Sequence, residues 1–362
     1  MSPPSPAGGA DGPAGAVRYD ADTLRTFAAD VIRALGGYAE HAEIVARHLV
    51  LANLVGHDSH GVFRLPQYAD FLARGHIDPS ARPTVERETP STAVIDGHNA
   101  WGHAVAELAT QIAAAKADRT GMAAVGVRNA FHVGRAGGYP VMLAEQGLIG
   151  QIFCSAEGSA FIAPWGGIER RLSTNPIAIA VPTGGEPILV DMTTSVVAEG
   201  KVKLARTAGK TLPPGWILDK DGEPSTDPEA LYADGTLLPL GGTVAHKGYG
   251  LSVIVDLLGS VLNGGAPGMM GPILHNHFLL QAFDPATVTD RSAMEAAQER
   301  YFEYLRSSRK RAGVTEILLP GEPEQRAMAD RQANGIPLDA GVINSLDELC
   351  TRLSVTPLAE RY

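Results

Sequence analysis

Cysteine is scarce in this chain: 362 residues contain two, Cys154 and Cys350. Two thiols cannot build a disulfide framework or a cysteine-based metal site, so the natural setting is a reducing cytoplasm. Positive charge is also short. Thirty Lys and Arg against 40 Asp and Glu leave a formal net charge of −10. That balance argues against nucleic acid, whose phosphates need a concentrated basic surface, and equally against an anionic membrane. Long apolar runs are missing as well. The longest, Leu251–Leu262, contains Asp256 and falls short of the roughly 20 residues that a bilayer requires. The opening MSPPSPAGGADGPAGA has neither a basic start nor an apolar core, so it does not read as a signal peptide. Its composition cannot bury a core, and residues 1–16 are expected to form a disordered tail.

Several chemical signatures are absent too. No G-x-G-x-x-G follows a strand, and no G-x-x-x-x-G-K-[ST] occurs, which closes the usual glycine-loop routes to a nucleotide. H-E-x-x-H, C-x-x-C and the G-x-S-x-G serine elbow are likewise missing.

The chain does have the composition of an ordinary globular protein, 44% hydrophobic and 19% charged. Its length favours two domains or one large α/β unit. From Asp22 the spacing is helical, with Leu24, Phe27, Val31, Ile32 and Leu35 on one face before Gly36-Gly37. A second helix is predicted from about Ala39 to Val55, with Ile44, Val45, Leu49 and Ala52 inward. A third carries Phe63, Leu65, Tyr68 and Leu72, with Pro66 in its first turn. From about Ser91 the period changes. Strands are predicted at Thr92–Ile95, Met122–Val127, Ile149–Cys154, Ile177–Val181, Ile188–Val190 and Glu316–Leu319. Helices are predicted at Gly102–Arg119, Tyr139–Gln146, Ser195–Arg206 and Lys247–Leu262, with a last one carrying Leu346, Leu349, Cys350 and Leu353. This alternation implies an α/β fold in which helices layer a sheet. Residues 207–245 read as a surface excursion holding a hairpin at Trp216–Leu218 and Asp221-Gly222. Asp290–Arg311 reads as a charged, solvated helix.

Four clusters carry potential chemistry. The first is Asn129–Tyr139, which sets His132 in a glycine-rich loop between a strand and a helix. Loops at strand ends present reactive groups, and His exchanges a proton near neutral pH; a solvated or structural loop histidine is the bland alternative. The second is His57, Asp58, Ser59, His60, Arg64 and Tyr68. If helix runs through it, His60, Arg64 and Tyr68 share one face, and a guanidinium among hydroxyls and imidazoles suits a small carboxylate. A capped helix start would explain the same residues. The third joins Ser173-Thr174-Asn175-Pro176 to Asp191-Met192-Thr193-Thr194-Ser195, where Thr193–Ser195 could cap a helix and hold a phosphate or ribose. The fourth is His246-Lys247-Gly248-Tyr249-Gly250, where Lys247 at a helix start could meet an anion or simply be solvated.

In combination these clusters resemble the malate/L-lactate dehydrogenase family, which includes sulfolactate and ureidoglycolate dehydrogenases and cyclic-imine reductases. The matching segments are Ser59-His60-Gly61-Val62 with Arg64 and Tyr68, Gly126–Gly134, Pro164–Gly167, Thr174-Asn175-Pro176 and Asp191–Ser195. Gly200-Lys201-Val202, Lys247–Gly250 and Pro320-Gly321-Glu322 continue the match, which spans about residues 20–350 in order. The resemblance implies NAD or NADP held by a non-Rossmann mixed β-sheet layered with helices, plus a mainly helical N-terminal region. It implies a homodimer with its sites near the interface. It also implies a substrate-pocket region over 17–85, joined by helices from about 200–300. The NAD(P)-binding domain would then be 86–199 with about 312–345. By position, His132 resembles the family's acid/base, and Ser59, His60, Arg64 and Tyr68 its substrate pocket. Thr174, Asn175, Asp191, Met192, Thr193, Lys247, Pro320, Gly321 and Glu322 resemble its cofactor contacts. The chain departs from relatives at Asp58, at Ser173 and in the longer Ser155–Ser159 segment, all near the implied site.

The activity so implied is hydride exchange between a small 2-hydroxy acid and the nicotinamide ring. His132 would move the hydroxyl proton, helped by an imidazole pKa of about 6.5, and Arg64 would grip the carboxylate. No metal is called for. The alternatives are reduction of a cyclic imino acid, a metal-dependent hydrolase using His57, Asp58, His60 and His132, and a non-catalytic nucleotide-binding module.

Overall fold

The computed structural model describes residues 16–207, 209–268 and 273–361. Apart from residue 16, the expected tail lies outside them. In chain order the first elements are β1 (Val17–Tyr19), α1 (Ala21–Ala34), α2 (Ala39–Leu54), α3 (Leu65–Ala73), β2 (Thr84–Glu88) and β3 (Thr92–Asp96). Next come α4 (Gly102–Thr120), β4 (Met122–Ala130), α5 (Gly138–Ala144), β5 (Ile149–Glu157), β6 (Ile177–Val181), β7 (Ile188–Met192) and α6 (Glu199–Thr207). A small unit follows, made of β8 (Ile217–Leu218), β9 (Pro224–Ser225), α7 (Pro228–Tyr232) and β10 (Thr236–Leu237). The chain closes with α8 (His246–Gly259), β11 (His275–Phe283), α9 (Arg291–Arg306), α10 (Glu322–Asn334), β12 (Ile336–Leu338) and α11 (Ala340–Leu353).

Helix starts are set by short acidic caps. Asp20 accepts the Thr23 amide at 2.8 Å, and Asp290 and Asp339 do the same for α9 and α11, satisfying donors that a helix cannot. The apolar stripe of α1 then buries Leu24, Phe27, Val31 and Ile32 against Val45 and Leu49 of α2 and Leu346 and Leu349 of α11. Charged α9 has no buried residue, as its composition requires.

The main sheet has seven strands in the order β2-β3-β4-β11-β5-β6-β7, and only β3 and β4 run parallel. The expected mixed sheet layered with helices is therefore what forms. With a single parallel pair the doubly wound nucleotide fold cannot be built, which accounts for the missing glycine fingerprint. The central strand β11 has no counterpart among the segments expected from sequence. Its first six residues, His275–Leu280, are all buried, so the alternation that betrays a half-buried strand is absent.

Two expected elements change. Glu316–Leu319 is not a strand: a single bond from Leu189 N–H to the Pro320 carbonyl, 3.1 Å, holds this stretch to β7. Pro320 has no N–H, and Gly321 (φ 98°) then turns the chain into α10. The helix expected from Ser195 begins only at Glu199. The Thr194 and Val196 amides are instead bonded to the carbonyls of Thr174 and Leu238. The expected hairpin exists as β8–β9, turned at Gly222 (φ 87°). Its excursion is not mere surface, because Ile217, Leu231 and Leu237 bury a satellite core with Ile162 and Val202.

Candidate active site

β4 runs three residues further than expected, to Ala130, and delivers Phe131 and His132 out of the sheet. Asn276 of β11 accepts the Val133 amide at 3.0 Å, and the Tyr139 hydroxyl donates to the Val133 carbonyl at 2.5 Å. The loop is thereby clamped on both sides of its backbone. His132 Nδ1 lies 3.3 Å from the Gly134 N–H and 2.8 Å from the Tyr68 hydroxyl. An amide can only donate, so Nδ1 is the acceptor, Tyr68 donates to it, and the neutral ring carries its proton on Nε2.

The segment that supplies Tyr68 is not one continuous helix. Gly61, with extended backbone, separates two 3-10 turns, Asp58–His60 and Val62–Arg64, before α3 begins. Buried Asn53 causes the break. Its Oδ1 accepts the Val62 amide at 2.9 Å, its Nδ2 donates to Asp58 at 2.7 Å, and a Cβ at residue 61 would sit 2.2 Å from that Oδ1. Even so, the called residues converge. The His60 ring stacks on His132 at 5.8 Å and 14°, and Ser59 Oγ meets His60 Nδ1 at 3.1 Å. Arg64 is held by its Nε on the Ser59 carbonyl and by Nη1 on Gln67, both at 2.6 Å. His60, Arg64 and His132 are half-buried, so the cluster retains an opening to solvent.

Electrostatics corrects one expectation. Burial, followed by the charge of Arg64, pushes the His132 pKa well below 6.5, so the ring is not the freely titrating imidazole assumed from sequence. His60 is pushed down to about 3 by the same causes. Burial likewise raises the Tyr68 pKa and keeps that hydroxyl protonated. The free site therefore holds neutral imidazoles beside a fixed guanidinium.

Of the remaining expected segments, the one holding Asp191 is bonded directly to the His132 loop. Asp191, at the end of β7, accepts the Gly137 amide at 3.1 Å and lies 3.1 Å from Arg135 Nε. Arg135 was not among the called residues, although a cation between glycines of the His132 loop was the available signal. It is buried, and its Nη2 has no hydrogen-bond partner among the described residues. Met192 and Thr193 follow on the same edge, half-buried. Thr193–Ser195 cap no helix: the Ser195 hydroxyl instead donates to the Val197 carbonyl at 2.7 Å. Thr174 accepts the Thr194 amide at 3.0 Å, and Asn175 (φ 40°) is fully buried, donating to Ser252 Oγ at 3.0 Å on α8. Lys247 is exposed at the first turn of α8. Pro320 and Gly321 lie against Leu189, and Glu322 accepts the Leu319 amide at 2.7 Å while pairing with Arg306.

The hydrolase constellation does not assemble. Asp58 is engaged by Arg331 at 2.6 and 2.9 Å, and His57 faces Glu324 at 3.3 Å, so neither is free to meet His132. Among the described residues the group with metal-ligand spacing is a different one, Glu157, His275 and His277. There His277 Nδ1 accepts the Asn129 amide at 3.2 Å, which leaves its proton on Nε2, 2.9 Å from Glu157. A metal-bound histidine needs the reverse, a donating second nitrogen.

The family model described as "Malate/L-lactate dehydrogenase" matches residues 19–347. A malate dehydrogenase from Pyrococcus abyssi is 38% identical over 351 residues, which is 94% of this chain and 96% of that protein. The solved malate dehydrogenase from Pyrococcus horikoshii OT3 superposes with a TM-score of 0.86 at 36% identity, over 95% of this chain and 98% of that one. The solved delta1-piperideine-2-carboxylate reductase from Pseudomonas syringae pvar. tomato superposes with a TM-score of 0.82 at 29% identity, over 92% and 99%.

Proposed function

The chain belongs to the malate/L-lactate dehydrogenase family, and on that premise we propose that it interconverts a small 2-hydroxy acid and its 2-oxo acid with NAD or NADP, using His132 as the acid/base. The observation that carries this reading is the convergence of His132, Tyr68, His60 and Arg64 on one half-open cluster. Arg64 offers its guanidinium to the substrate carboxylate. To take the hydroxyl proton at Nε2, His132 uses the tautomer with its proton on Nδ1, bonded to the Tyr68 oxygen; the Nε2–H tautomer of the free site is the one that donates to the 2-oxo acid. Ser59 and His60 close the side of the pocket.

When bound, the nicotinamide cofactor supplies the hydride acceptor or donor. The chain's residues suit such a group: Arg135 Nη2, beside Asp191, is a buried cationic donor with no hydrogen-bond partner among the described residues, as an anionic ligand requires. Asp191, Met192 and Thr193 with Thr174 and Asn175 would line one side, and Lys247 and Pro320-Gly321-Glu322 the ends. In this division of labour 17–85 with helices from about 200–300 carries the substrate pocket, and 86–199 with about 312–345 the cofactor.

A homodimer is part of the reading. Ile254 and Leu257 on α8 continue into Val261 and Leu262, all about half exposed or more, an apolar row suited to a second copy. No helix among the described residues is long and apolar enough to cross a membrane, and two buried free thiols suit a reducing cytoplasm. A cyclic imino acid is the second candidate substrate, favoured by the likeness to the piperideine-carboxylate reductase; there the His132 proton would go to nitrogen.

A panel of 2-hydroxy acids, 2-oxo acids and cyclic imines with each cofactor, read by nicotinamide absorbance, tests the assignment. Turnover of a hydroxy/oxo acid pair supports it, and turnover of imines alone moves it to the second candidate. The depressed His132 pKa adds a pH prediction. A lowered pKa keeps the ring neutral, and so able to accept a proton, to well below 6.5. Oxidative kcat/KM should thus hold its plateau as pH falls through about 6.5. A midpoint at 6.5 would contradict the burial and the Arg64 charge as holding the ring neutral.

A further inference from the structure

Beside His132 lies a second row of imidazoles that the reaction as described leaves unused. His103, on the first turn of α4, is almost fully buried, and its ring centroid is 6.3 Å from that of His132. His48 of α2 follows, 5.8 Å further. Its Nε2 is 3.1 Å from Glu107 Oε2, and Glu107 pairs with the half-exposed Arg47. The row thus leads from the acid/base to the protein surface.

Neither nitrogen of His103 has a hydrogen-bond partner among the described residues. Buried polar groups are bonded in nearly all cases, and an apolar side chain would fill this wall without the penalty. The backbone also makes way for the ring: a Cβ at Gly134 (φ 73°) would lie 2.3 Å from His103 Nε2. Tyr68 and Tyr139 flank the row at 6.1 Å from His103 and 5.0 Å from His48. Burial raises the pKa of both hydroxyls, so a proton crosses Tyr68 only as the hydroxyl gives up one proton and takes another. A bridging water between neighbouring rings would also satisfy the unpartnered His103 nitrogens.

We infer that His103, His48 and Glu107 form a back-door proton relay that connects His132 to solvent at Arg47 while substrate and cofactor fill the front opening. This rests on His132 being the acid/base. In oxidation the C–H electron pair leaves with the hydride, the hydroxyl proton goes to Nε2 of the Nδ1-protonated ring, and the Nδ1 proton moves onto the Tyr68 oxygen as Tyr68 releases its own proton. That proton then passes through His103, which accepts at one nitrogen and releases from the other, to His48, Glu107 and water. Reduction runs the same path inward.

The test compares the wild-type protein with His103→Leu in single-turnover and steady-state oxidation, at rising concentrations of imidazole and of a bulky buffer of similar pKa. The relay predicts near-normal single-turnover hydride transfer. Steady-state turnover falls by roughly ten-fold or more, up to the 10²–10⁴-fold that acid–base catalysis supplies, and recovers with imidazole but not with the bulky buffer. Normal turnover in dilute buffer, or slowing that no buffer relieves, overturns the relay. His48→Gln must reproduce the buffer dependence, and it carries the test if His103→Leu does not fold. Full turnover by His132→Gln would bring down the site assignment and the relay with it; a buffer-independent His103→Leu brings down the relay alone.

Discussion

Replacing His132 with alanine lowers turnover by roughly 10²–10⁴-fold, the span that a positioned acid/base contributes. Binding of the reduced cofactor, followed by its fluorescence, stays close to that of the parent protein. The split follows from how the loop is held. Asn276 and Tyr139 grip the Val133 backbone, and Gly137 bonds Asp191, so removing the imidazole leaves in place the loop and the strand end proposed to meet the cofactor. The lost contacts are the Tyr68 and Gly134 N–H bonds and the His60 stack, all at the proposed substrate pocket. Near-normal turnover would remove His132 from its role, and a parallel collapse of cofactor binding would make it structural.

Arg64→Ala carries the second large effect. Bonds from a guanidinium to a carboxylate contribute about 1.5–3 kcal/mol, so kcat/KM should fall by roughly ten- to 150-fold, chiefly through KM if the grip is equal in ground and transition states. Arg64→Lys should recover only part of this, because an ammonium cannot make two parallel bonds. A second readout separates this role from a structural one. Arg64 is the largest charge depressing the His132 pKa. Without it that pKa rises, the ring is protonated over a wider range, and the acid limb of oxidative kcat/KM moves to higher pH. An unmoved acid limb would place Arg64 away from the imidazole.

The parts of the fold that sequence exposed are those with a period or a punctuation mark. Leu24, Phe27, Val31 and Ile32 repeat at helical spacing, Gly222 marks its hairpin, and Asp290 marks the start of α9. The centre of the sheet was not exposed, because β11 is buried on both faces and begins with the polar His275-Asn276-His277. Asn276 was missed with it, although it fixes the His132 loop. The residues of the candidate cluster each stood out in the sequence, but they converge across a broken helix, not along the continuous one considered there. Asn53 breaks that helix through contacts that depend on α2 lying behind Gly61, which no local pattern records. Arg135 and His103 escaped for a related reason. Their importance lies in unpaired nitrogens, and pairing is a property of the packed molecule.

The central claim is that this site removes hydride from C2 of a 2-hydroxy acid and hands the proton separately to the protein. A single turnover of the wild-type protein with a C2-deuterated hydroxy acid tests it, followed by mass analysis of cofactor, product and water. Deuterium recovered on the reduced nicotinamide, with none in water, is the predicted result. Deuterium washed into solvent or retained in the organic product would contradict it.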